Sequence, residues 1–84
     1  MIFHRVKKIS PLPDKVLLAE FEDGIKKLYD VKPLKDKLPV FSMLDYVAGL
    51  FEQVYVDAGG YGIVWNDELD LSCDELYNNG EILS

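Results

Sequence analysis

The chain has one cysteine, one histidine, and no lysine or arginine beyond residue 38, and each shortage excludes something. Cys73 alone closes no internal disulfide, and without a C-x-x-C pair or a cysteine and histidine cluster no structural metal is expected to reinforce the fold. No run approaches the roughly 18 apolar residues of a membrane span. The stretch Met1-Ile2-Phe3-His4-Arg5-Val6-Lys7-Lys8 carries charges where a secretory signal needs an apolar core of about 7–15 residues. The expectation is a cytoplasmic protein without membrane contact or bound cofactor. With 84 residues, 49% of them hydrophobic, one domain over residues 1–84 can bury a single modest core.

What is present is a lopsided charge distribution. Nine basic and six acidic residues before position 39 give +3, and nine acids with no base after it give −9, matching the overall −6. A wholly acidic second half repels phosphate, so nucleic acid and anionic lipid are poor partners and a basic protein is a good one. The alternative is that the two halves neutralise each other within one fold.

Pro11, Pro13, Pro33 and Pro39 punctuate the first half. His4 to Ile9 reads as a weak strand, closed by a loop at Ser10-Pro11-Leu12-Pro13-Asp14. Val16–Phe21 and Ile25–Val31 flank Glu22-Asp23-Gly24, the strongest hairpin signal in the chain. Two registers fit: a two-residue loop at Asp23-Gly24, or a type I turn with Gly24 as the bulge residue. A lysine-rich connector over 33–39 has room for one helical turn. Val40, Phe41, Met43, Leu44, Val47 and Leu50 then recur at three- and four-residue spacing, predicting a short helix near 42–49 that stops at Gly49. Phe51–Asp57, a turn at Ala58-Gly59-Gly60-Tyr61, and Gly62–Trp65 read as a second hairpin. Ser72 as N-cap, Glu75 three residues on, and Leu71 with Leu76 as a hydrophobic staple start a last helix, which Asn79-Gly80 ends. The fold class expected is α+β, a mostly antiparallel sheet of two β-hairpins with two short helices packed on it.

Phe21-x-Asp23-Gly24, Asp30-Val31, Leu44, Phe51-x-x-Val54-x-Val56-Asp57, Trp65, Asp70-Leu71 and Leu76-Tyr77 occur in an order that resembles the bacterial domain of unknown function (DUF) 2442 family over roughly residues 5–79. The resemblance implies a compact α+β fold with no established activity. Some such proteins carry an added helix-turn-helix segment; none is expected after Ser84, so a DNA-binding role carried by it is not expected here. Genes of this kind commonly sit beside another small protein, which implies an antitoxin-like member of a two-gene pair. Asn66 departs from the pattern, in which proline often follows the tryptophan.

No catalytic constellation is visible. His4 has no neighbouring nucleophile to activate, and is expected on the surface. Cys73 begins the last helix, where Asp74 and Glu75 disfavour a thiolate. Asp67, Glu68, Asp70, Asp74 and Glu75 offer carboxylates but not the spacing of a calcium loop, and Asp70 is expected to brace the turn before the helix. Gly59-Gly60-Tyr61-Gly62 lies between strands and reads as a turn, not a phosphate loop. Core packing is the first expectation for Trp65; the alternative is that Trp65 or Tyr61 anchors a partner, with Asp67, Glu68 and Asp70 as an acidic rim. Three function classes remain: a protein-interaction or regulatory module for a basic partner, an enzymatic or small-molecule-binding domain with a pocket between helix 42–49 and the sheet, and a homo-oligomer in which the basic N-terminal strand of one copy meets the acidic half of another, or exposed sheet edges pair.

Overall fold

The computed structural model describes residues 4–83. The fold is α+β as expected, with the antiparallel strands divided between two sheets. Strands β1 (Val6–Leu12), β2 (Val16–Phe21), β3 (Lys26–Asp30) and the two-residue β7 (Glu81–Ile82) form one sheet in the order β1-β2-β3-β7. Strands β4 (Tyr55–Val56), β5 (Gly62–Asn66) and β6 (Leu69–Ser72) form the other, in chain order. Helices α1 (Leu34–Lys37) and α2 (Met43–Tyr46) lie in the crossover between the sheets, and α3 (Cys73–Asn79) leads back to the first.

The first strand begins later and runs further than its composition suggests, continuing through Pro11 to Leu12. The reason lies in the ladder. Phe21 N–H donates to the Ile25 carbonyl at 2.9 Å, so odd residues of β2 bond towards β3 and even ones towards β1. Pro11 opposes Leu17, an odd position, on the sheet edge, where no donor is required of it. The expected loop shrinks to Pro13–Lys15, with Asp14 and Lys15 at positive φ.

The hairpin of β2 and β3 takes the bulged register. Glu20 pairs with Lys26, Gly24 N–H donates to the Phe21 carbonyl at 3.0 Å, and Gly24 has φ +89° while Asp23 does not turn positive. A two-residue type I′ loop needs both central residues at positive φ, which glycine accepts and aspartate resists. The register turns Leu17, Ala19, Phe21 and Tyr29 into the core.

The helix expected over 42–49 is a single α-helical turn, Met43–Tyr46, between 3₁₀ turns at Pro39–Ser42 and Phe51–Gln53. Ser42 makes no capping bond, and Val47 is already extended. An apolar period too short to nucleate a helix alone is here satisfied by separate turns that each insert one residue, Phe41, Leu44 and Phe51. The expected strand 51–57 is correspondingly reduced to Tyr55–Val56. Two strands were not anticipated, β6 and the two-residue β7 that pairs with Lys27 and Leu28. Leu69-Asp70-Leu71-Ser72 alternates buried and exposed and pairs with β5, so Asp70 is a strand residue and not a brace of the following turn. Asn66 Oδ1 accepts the N–H groups of Glu68 and Leu69, both at 2.9 Å, fixing the turn between β5 and β6.

The last helix follows its local code. Ser72 Oγ accepts from the Glu75 N–H at 3.1 Å, and Leu71 and Leu76 are both buried. Gly80 caps it, but at φ −77°, so left-handed freedom is not what the position uses. A Cβ there would lie 2.6 Å from the Leu76 carbonyl oxygen of α3 and 3.1 Å from Lys27 Cβ on β3, so close approach to the helix backbone, with β3 beside it, is the reason for glycine. The core lies between the sheets: Leu17, Phe21 and Tyr29 from one face Ile63, Trp65, Leu69 and Leu76. The two sheets also meet through the Val6 N–H, which donates to the Gly60 carbonyl at 2.8 Å.

Candidate functional site

The five residues proposed as a partner-binding group are not brought together. Trp65 is 3% exposed, with its Nε1–H donating to the Phe51 carbonyl at 3.1 Å and its ring edge-on to Phe41. It is a core residue and presents nothing to a partner: a ring of that size on the inward face of β5 is what fills the space between the sheets. Tyr61 is 48% exposed at the start of β5, with the Arg5 guanidinium 5.9 Å above its ring and its N–H donating to Asp57 Oδ1 at 2.9 Å. Asp67 and Glu68 sit in the turn at the other end of that strand, roughly 20 Å away for six residues of extended chain. Asp70 lies between, opposite Val64 on the outward face.

Composition gave no means of finding the residue that shares that face with Asp70. Tyr55 pairs with Val64, which pairs with Asp70, so the three form a cross-strand row, and Tyr55 is 55% exposed. The alternation of β4 and β5 carries the signal, but only once register is known.

Direct ion pairs between the two halves are few. In the first, Arg5 pairs with Glu22 at 3.3 Å, and Lys32 with Asp14 and Asp30 at 3.3 and 3.0 Å. Among the described residues a single ion pair, Lys35 with Asp45 at 3.0 Å, joins a base of the first half to an acid of the second. The other eight acids of that half have no cationic partner there.

The pocket expected between helix 42–49 and the sheet is closed. Phe41 and Leu44 fill the space beside Val31, leaving about 10 Å³. An open groove of about 560 Å³ lies instead between the end of β3, α1 and α3. Val16, Leu28, Pro33 and Leu34 form its apolar wall, and Asp30, Lys37, Glu75, Asn79 and Glu81 its polar one. At its base the buried Tyr29 hydroxyl donates to Glu75 Oε2 at 2.8 Å. Burial, and then the Glu75 carboxylate, push the Tyr29 phenol well above its ordinary range. The Asp30 carboxyl is held below its usual value: burial opposes this, and the Lys32 ammonium and N–H outweigh it.

His4 stacks on Tyr77, ring centroids 3.5 Å apart, and its Nδ1 is 3.5 Å from Asp23 Oδ2, which also accepts from the Tyr77 hydroxyl at 3.3 Å. This ties the chain before β1 to the turn after β2 and to α3, with no nucleophile beside it. Cys73 is buried, its thiol pushed up by desolvation and then by Asp74. Among the described residues no three histidine, cysteine or acidic side chains gather to hold a metal, and no helix is long and apolar enough to cross a membrane.

Neither a curated protein nor a solved structure matches the chain. The family model described as protein of unknown function (DUF2442) matches residues 6–81. With its α+β fold and nearly the whole sequence covered, the chain belongs to that family.

Proposed function

We propose that the protein is an interaction or regulatory module that presents its acidic C-terminal half to a basic protein. The supporting observation is the scarcity of internal ion pairing: among the described residues a single ion pair reaches from the cationic half, and the other eight acids of the second half have no cationic partner. Surface carboxylates raise the rate of encounter with a cationic surface, and the exposed Tyr55 with the half-buried Val64 beside Asp70 supplies apolar contact. An antitoxin-like place in a two-gene pair fits this reading, because neutralising a basic toxin asks for such a surface. Placement in the cytoplasm belongs to the same proposal.

The test is affinity purification from the native host with the adjacent gene product present, eluting with a salt gradient. A partner rich in lysine and arginine that leaves as salt rises, and that Asp67→Lys with Glu68→Lys releases earlier, is the expected result. Capture unchanged by that pair of substitutions would reject the acidic face.

A further inference from the structure

We propose that the groove between β3, α1 and α3 receives a lysine or arginine side chain of that basic partner, the aliphatic stem on Leu34 and Leu28 and the cationic head at Glu75 and Glu81. The inference rests on the reading above and gives it a second, concave contact point away from the β5–β6 turn. Its volume of about 560 Å³ matches sites that hold a small ligand or a few residues of extended chain, and an open side lets a backbone pass.

The charges select the occupant. Asp30 is already engaged by Lys32 at 3.0 Å. Glu75 accepts the Tyr29 hydroxyl, which orients its carboxylate without neutralising it, and Glu81 has no cationic partner among the described residues. Lys37 is the one base on the rim and competes with an incoming cation. A carboxylate pair beside an apolar wall suits a group with a long methylene stem and a charged tip, which is the form of lysine and arginine. An anion would meet Glu75 and Glu81, and a purely apolar group would strand both. β7 pairs with only Lys27 and Leu28, so Asp30 stands past the ladder, where a passing segment can reach the strand.

The experiment is a titration of the whole chain with the peptide Gly-Lys-Gly-Arg-Gly, followed by backbone amide NMR shifts, with Gly-Glu-Gly-Glu-Gly as the control. Shifts should gather at Asp30, Leu34, Glu75 and Glu81 with the basic peptide alone. Glu81→Lys, at an exposed position, should weaken binding about fivefold, and Lys37→Ala should strengthen it about twofold, the range of solvent-screened pairs. Glu75→Gln keeps an acceptor for Tyr29 and should also weaken binding. Shifts confined to Asp67–Asp70, or equal for both peptides, would overturn the groove while leaving the acidic face standing. No shift anywhere, together with a host purification that yields no basic partner, would remove both.

Discussion

Tyr29→Phe isolates one hydroxyl. The ring is 5% exposed and stays packed, so the change removes only the bond from the phenol to Glu75 Oε2 at 2.8 Å. A hydrogen bond to a charged group contributes ~1.5–3 kcal/mol, and the half-buried Glu75 can turn to water once released, which places the cost near the lower end, ~1.5 kcal/mol. For a domain of this size that corresponds to a fall in Tm of about 6–12 °C. The pH dependence gives a sharper signature. The folded phenol is raised above its ordinary 10.0, so its contribution is fully present below that pH and is lost as pH rises towards the folded value. Wild-type stability should therefore decline at alkaline pH, and Tyr29→Phe should decline less. Urea unfolding followed by Trp65 fluorescence at pH 7 and at pH 10.5 measures both effects. Tyr77→Phe serves as the control, since that phenol is also raised, by desolvation and by Asp23, but its ring is only half-buried and its hydroxyl bonds an exposed Asp23. A Tyr29→Phe protein as stable as wild type at pH 7, with an unchanged alkaline decline, would refute the placement of that hydroxyl.

Trp65→Phe should cost ~2–3 kcal/mol, because the smaller ring leaves a void and the Phe51 carbonyl loses its buried donor; chemical denaturation monitored by circular dichroism reads it. On the acid side, Asp23 is lowered by the Ile25 N–H, against burial, and then by His4 and Tyr77, and Asp30 is lowered by Lys32 against burial. Their contribution is present above the usual carboxyl value of 3.8 and is lost as pH falls through the lower folded values, so Asp23→Asn with Asp30→Asn should flatten the loss of stability below about pH 4. Cys73, buried and with its thiol raised, should react with a thiol reagent only as fast as the chain opens; labelling at the rate of a free thiol in native buffer would contradict its burial.

Where neighbours in sequence supply the whole interaction, the sequence by itself was decisive. Ser72, Glu75, Leu71 and Leu76 start a helix from within one turn, and Asp23-Gly24 makes a hairpin, because capping bonds and positive φ are set by residues a few positions apart. The charge division at residue 38 is likewise readable without coordinates, and so is the family resemblance, which the match over residues 6–81 bears out. The tertiary structure decided what depends on partners distant in sequence. Strand β6 carries only a four-residue alternation, and its pairing with β5 is what makes it a strand. Helix 42–49 broke into turns because the core on which it lies, not its own period, placed Phe41, Leu44 and Phe51. Trp65 went inward and Tyr55 outward because register assigns faces, and a slip of one residue between β4 and β5 would turn Tyr55 to the same face as Trp65. The groove joins Asp30 to Glu75 across 45 positions, a juxtaposition that exists only when α3 returns to β3. Folding divides these cases by range: backbone geometry acts over a few residues, whereas burial is settled by the whole chain at once.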